Sequence, residues 1–177
     1  MKLICFGDSN TYGYDPRPGT DGRYGADSRW VDILAAKTGW TVSNMGRNGR
    51  EIPVTVPDIP VDADRMIVML GTNDLLQGRS PQKAAERLKH FLLTLHFSRE
   101  QIMLIAPPPM ELGEWVRSRQ LIDDSKNFAQ CCRTLAGQLG IPFADSADWN
   151  ISLARDGVHF TTQGHRAFAA GILEVLK

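Results

Sequence analysis

The stretch Lys2-Leu3-Ile4-Cys5-Phe6-Gly7-Asp8-Ser9-Asn10 begins as a short apolar run that Gly7 ends. A run that is apolar at every position reads as a strand buried on both faces, because successive side chains of a strand point to opposite sides. Working outward, residues 65–70 contain a second such run, Met66-Ile67-Val68-Met69-Leu70, which stops at Gly71. Residues 101–106 form a third, stopped by Pro107-Pro108-Pro109, and short strands are expected at 40–43 and 141–144. Helical patterns lie between them. Residues 30–37 space Trp30, Ile33 and Leu34 on one face, with Asp27 or Ser28 as candidate cap. Residues 81–95 follow Ser80 as N-cap, with Pro81 in the first position. Residues 117–139 end at Gly140, and residues 161–176 close the chain. Apolar strands alternating with helices indicate a parallel sheet covered on both faces. The expected fold is α/β: one three-layer, doubly wound domain over residues 1–177.

In such folds ligands bind beyond the carboxyl ends of the strands, so the residues just after each strand should share a rim. These are Gly7-Asp8-Ser9-Asn10, Asn44-Met45-Gly46-Arg47-Asn48-Gly49, Gly71-Thr72-Asn73-Asp74 and Pro107-Pro108-Pro109. The loop at 155–160, before the last helix, can reach the same rim.

Bulk properties exclude several classes. The chain has 177 residues and is 42% hydrophobic, enough for a full core. Its 20 basic and 20 acidic residues balance, which gives no attraction to nucleic acid or an anionic membrane. No stretch approaches the roughly 20 apolar residues of a membrane span. Cys5, Cys131 and Cys132 lack metal-site spacing, and adjacent helical cysteines point apart, so a reduced, cytoplasmic chain is expected. A mature secreted form stays open, as does the oligomeric state.

Ser9 stands just after the first strand, where the backbone N–H groups of an opening helix favour developing negative charge. Alone it reads more readily as an N-cap. Asp156 and His159 are three positions apart, close enough for one turn to bring carboxylate and imidazole together. A carboxylate on one ring nitrogen fixes the tautomer and leaves the other as a general base. Asn73 lies on the same rim and can donate to an oxyanion, with the N–H groups of Ser9 and Gly49 as further donors. Its plainer reading is a turn residue, and Gly49 can serve only to supply a positive φ.

Together these blocks resemble the SGNH, or GDSL, hydrolase family. Gly7-Asp8-Ser9 matches its first block, Asn44-x-Gly46-x-x-Gly49 its second, Gly71-Thr72-Asn73-Asp74 its third, and Asp156-Gly157-Val158-His159-Phe160 its last, in family order. The resemblance implies a flavodoxin-like sheet of about five parallel strands, Ser9 as nucleophile, Asp156 and His159 as acid and base, and an oxyanion hole from Ser9, Gly49 and Asn73. It implies a serine esterase working through an acyl-enzyme, with no cofactor, no metal and a small-molecule ester as partner. Cys5 through Tyr14, then Arg29-Trp30 and the triple proline, look like the arylesterase and acyltransferase branch, which favours small acyl groups. Gly49 departs from the arylesterases that carry Ala there, a change that spares the backbone donor.

Other residues read as supporting structure. His165 is expected to be structural, His90 and His96 to lie at the surface, and Asp8 to hold nearby backbone N–H groups. Residues 15–27 are a loop or one wall of an acyl pocket, and residues 110–122, with Trp115, a flap or a surface connection. Two rivals remain: a non-catalytic binding module on this scaffold, and a phosphodiesterase using Asp8 and Asp156 with a metal. Within the family, deacetylation of carbohydrate and lysophospholipid hydrolysis both stay open.

Overall fold

Along β1 (Lys2–Gly7) the apolar run divides between two cores. Ile4 and Phe6 enter one, Leu3 and Cys5 the other, which is why every position had to be apolar. The computed structural model describes residues 1–55 and 57–177. In chain order β1 is followed by α1 (Ser9–Tyr12), α2 (Trp30–Thr38), β2 (Thr41–Gly46), β3 (Arg65–Met69), α3 (Thr72–Leu76) and α4 (Pro81–Thr94). Then come β4 (Ile102–Ala106), α5 (Arg119–Leu139), β5 (Phe143–Asp145) and α6 (Thr162–Val175). The five strands form one parallel sheet in the order β2-β1-β3-β4-β5, which is the flavodoxin-like order. Helices α4 and α5 cover the face holding Ile4, Phe6, Met66, Val68 and Leu104. Helices α2 and α6 cover the face holding Leu3, Cys5, Ile67, Met69 and Ile105.

The strand order reverses beside β1: the chain goes outward to β2, then returns to the far side of β1 as β3. A crevice opens beyond the carboxyl ends of such strands, and both Ser9 and Thr72 begin helices there.

Several helix ends follow local sequence rules. Ser80 accepts from the Lys83 N–H, and Thr161 from the Gly164 N–H at 3.0 Å. Ser118 caps α5, so that helix starts two residues later than expected. Other expectations change. Neither Asp27 nor Ser28 caps α2; the N-cap is Arg29, whose side chain pairs with Asp32 at 2.7 Å. The Trp30 N–H is met instead by Nδ1 of His165, 3.5 Å away on α6. Strand β2 runs on to Gly46, so Asn44 to Gly46 lie in the strand rather than in the loop after it, paired alongside β1 as far as Gly7. Gly71-Thr72-Asn73-Asp74 is not a plain turn but leads into α3. Strand β5 lies two residues later than expected at its start.

Candidate functional site

Asp8 alone separates β1 from α1, and its carboxylate accepts the Asn10 N–H at 3.0 Å. This puts Ser9 at the first helical position, where its own N–H has no intrahelical partner. Close packing makes the turn possible. A Cβ on Gly46 would lie 2.0 Å from the Tyr12 nitrogen, so only glycine lets β2 pass α1 at this distance.

The loop before α6 brings the other two residues. One oxygen of Asp156 accepts the backbone N–H groups of Val158 and His159, each at 2.9 Å. Its second oxygen lies 2.7 Å from Nδ1 of His159. Burial pushes the Asp156 pKa up, but the bonds from the His159 ring and the two backbone N–H groups outweigh it and hold the carboxyl below its usual value. An ionised carboxylate assigns the proton to Nδ1 and leaves Nε2 as an acceptor. Nε2 lies 2.9 Å from the Ser9 hydroxyl, and all three residues are buried.

The second and third blocks meet the first through neighbours. The Arg47 N–H donates to the Gly7 carbonyl at 3.1 Å, and the Thr72 hydroxyl lies beside the Asp8 carboxylate. Asn73 donates one amide hydrogen to the Arg50 carbonyl at 3.1 Å, which ties block three to the residue after Gly49. Its second amide hydrogen, and the N–H groups of Ser9 and Gly49, make no hydrogen bond among the described residues.

An ion-pair cluster under this rim fixes the same loop. Asp74 is fully buried, accepts the Ile52 N–H at 2.9 Å, and is met by Arg79 at 3.1 Å and Arg87 at 3.2 Å. Both arginines also hold Glu51, at 2.7 and 2.8 Å. Burial still leaves the Asp74 pKa above the usual carboxylate value.

The segment 110–122 proves to be a laced connection. The N–H groups of Glu111, Glu114 and Trp115 donate to the carbonyls of Gly157, Arg155 and Asp156 at 3.0, 3.0 and 3.1 Å. A Cβ on Gly113 would sit 2.4 Å from the Asp156 carbonyl carbon, so the two loops touch along their backbones. Trp115 consequently stands edge-on to the His159 ring with centroids 4.9 Å apart, and Tyr14 lies tilted against the same ring at 4.6 Å. His165 is buried with its pKa pushed down to about 3 by burial, aided by Arg29 and His159, so it stays neutral and supports α2.

The residues of four separate blocks thus converge as the rim rule required. A family model for GDSL-like Lipase/Acylhydrolase proteins matches residues 5–167. The chain belongs to that family. It is a family of carboxylic ester hydrolases. The GDSL esterase/lipase CPRD49 of Arabidopsis thaliana is 25% identical over 174 residues, and the match covers 82% of this chain and 66% of that relative, just under two thirds of its length. Est24, a carbohydrate acetylesterase from Sinorhizobium meliloti, superposes with a TM-score of 0.84 at 21% identity over 99% of this chain and 97% of its own. The aryl esterase of M. smegmatis does so with a TM-score of 0.78 at 24% identity over 99% and 97%. At these identities the structural likeness carries the fold.

Within this GDSL family fold, sequence reasoning did not single out Arg50. Its half-buried guanidinium donates to the carbonyls of Gly7, at 2.9 Å, and Met45, and lies 4.2 Å from the centre of the Phe6 ring. Its position directly after Gly49 is the signal that was available. Among the described residues no helix is long and apolar enough to cross a membrane, and no group of three or more His, Cys, Asp or Glu is placed to hold a metal. All three cysteines are free, Cys132 buried and Cys131 half-buried.

Proposed function

We propose that this chain acts as a single SGNH domain and a serine esterase, cleaving small acyl groups from carboxylic esters. The observation that carries this reading is the unbroken chain from the Ser9 hydroxyl through His159 to Asp156, at 2.9 and 2.7 Å. In the first step the Ser9 oxygen attacks the ester carbonyl carbon while Nε2 of His159 takes the hydroxyl proton. Asp156 stabilises the imidazolium that results. The carbonyl oxygen becomes an oxyanion held by the N–H groups of Ser9 and Gly49 and the amide of Asn73. The intermediate collapses, the C–O bond to the alcohol breaks, and His159 returns its proton to the departing oxygen. Water or another alcohol then attacks the acyl-Ser9 ester, with His159 again as base, and frees the acid or a new ester.

The alternative metal-dependent phosphodiesterase is disfavoured by the donors already placed. Both oxygens of Asp156 receive N–H groups, and Asp8 caps α1. The aromatic walls Tyr14 and Trp115, with structural relatives named an aryl esterase and a carbohydrate acetylesterase, favour a small acyl group on a ring-bearing alcohol. The free thiols favour a cytoplasmic location.

The test is a fluorophosphonate probe read by peptide mass spectrometry beside p-nitrophenyl acetate hydrolysis. Labelling is expected at Ser9, and Ser9→Ala should keep the fold while losing both labelling and nearly all turnover. Substantial turnover in that variant would overturn the assignment, and an unlabelled, inactive wild type would favour the binding-module reading.

A further inference from the structure

The distance between Ser9 and His159 needs a support that Asp156 does not provide. Asp156 and His159 are three residues apart on one loop, so together they can shift as a unit relative to Ser9. Contacts between that loop and the turn carrying Ser9 bear most directly on the distance across which the proton moves. The residue next to the nucleophile makes two of them. Asn10 donates from Nδ2 to the Val158 carbonyl at 3.1 Å and accepts at Oδ1 from the Phe160 N–H at 2.9 Å. These are the backbone groups on either side of His159.

We propose that Asn10 is a positioning residue, resting on the reading of Ser9 as nucleophile: its side-chain amide clamps the backbone flanking His159 and holds the imidazole at bonding distance from the Ser9 hydroxyl. The chemistry selects asparagine. Phe160 presents a donor and Val158 an acceptor, so the partner must offer one acceptor and one donor from the same planar group. Aspartate has no donor for the Val158 carbonyl, leucine has neither group, and glutamine is one methylene longer. The clamp is itself fixed. The Asn10 N–H is held by the Asp8 carboxylate at 3.0 Å, and the Asn10 carbonyl accepts the Trp30 indole N–H at 3.0 Å. Every polar group of this buried residue is therefore engaged, and its side chain spans a sequence separation of 148 to 150 residues to do so. Reacting groups have to be held to within about 0.5 Å, and a misplacement of about 1 Å costs on the order of 100-fold in rate.

Asn10→Ala, in the full-length protein, should lower kcat for p-nitrophenyl acetate and the fluorophosphonate labelling rate together by about 10- to 100-fold, with KM changed little. A residue that acts through His159 has nothing left to position once the imidazole is gone. In a His159→Ala background, Asn10→Ala should therefore change the residual labelling rate less than about twofold, the signature of strongly coupled sites. Equal losses in both backgrounds would reduce Asn10 to a structural role, and a kcat within about threefold of wild type, measured on the folded protein, would overturn the proposal outright. If Asn10→Ala does not fold, Asn10→Asp, which keeps the volume and the Phe160 bond but not the Val158 bond, is read in the same two backgrounds. Absence of labelling in the wild type would be the separate failure of Ser9 as nucleophile.

Discussion

The indole ring of Trp115 stands edge-on to the imidazole of His159, with centroids 4.9 Å apart and planes at 81°, although more than half of the tryptophan is exposed to solvent. An exposed indole held by backbone bonds to the loop of Asp156 is a fixed wall rather than a lid. On the proposed function it faces the alcohol side, where His159 returns the proton. Trp115→Ala should therefore weaken kcat/KM for phenyl and naphthyl acetates by about 1 kcal/mol, or roughly fivefold, while ethyl acetate is little affected. An equal loss on all esters, carried by kcat, would make the ring a support for His159 instead.

The loops also limit the acyl side. One residue joins β1 to α1 and two join β3 to α3. Of the longer connections, 13–29 folds back on itself through the Asp15 and Tyr24 N–H groups on the Gly22 and Gly13 carbonyls, 47–64 is anchored at Ile52 by Asp74, and 107–118 is partly spent on its bonds to residues 155–157. Little chain remains to enclose a long acyl tail. In a p-nitrophenyl ester series, kcat/KM should be highest between acetate and butyrate. Faster cleavage of palmitate than of acetate under matched, soluble conditions would contradict this pocket.

Asp8 supplies a pH test of stability. Burial raises its pKa from the usual 3.8 to about 6, against the lowering effects of the Asn10 N–H, His159, Arg50 and Thr72. The folded chain thus keeps a proton that the unfolded chain releases first. The associated stability is fully present below about pH 4 and is lost as pH rises through about 6. Asp8→Asn keeps an acceptor for the Asn10 N–H and removes the charge. It should raise stability at pH 8 by roughly 2 kcal/mol, or about 4–8 °C in Tm, and the gain should disappear near pH 4. A gain of equal size at both pH values would assign the effect to something other than the desolvated charge.

The parts of this molecule that were legible in the sequence depend on neighbours along the chain. The buried strands announced themselves by apolar runs, and Ser80 by its place before a helical pattern. The meeting of Ser9 with Asp156 and His159 followed from strand topology and the resemblance of the motifs. What escaped depends on distant partners. Helix α3, five residues long, is too short to show a period, and the Asp74 within it is anchored by Ile52, Arg79 and Arg87. The start of α2 is completed by His165 from α6. Asn10 reads as an ordinary residue after a serine until Val158 and Phe160 are in place, and Trp115 reads as part of a flap or of a surface connection until its backbone bonds are seen.

Asn73 provides the sharpest separation between a structural and a chemical role. Its amide gives one hydrogen to the Arg50 carbonyl at 3.1 Å, a bond that by itself would suit a residue that only fastens two loops. The second hydrogen distinguishes the readings. A ground-state ester carries little charge on its carbonyl oxygen, whereas the tetrahedral intermediate carries a full one, so a donor aimed there acts mostly in the transition state. Removing one such donor typically costs about 10²–10³ in kcat. Asn73→Ala should thus lower kcat by about that factor, leave KM nearly unchanged, and still label slowly at Ser9. A fastening role predicts a loss of about 1 kcal/mol in stability with near-normal kcat in the folded molecules. Thermal midpoint and kcat measured on the same purified variant separate the two. A destabilised variant with unchanged kcat would leave the oxyanion to the N–H groups of Ser9 and Gly49.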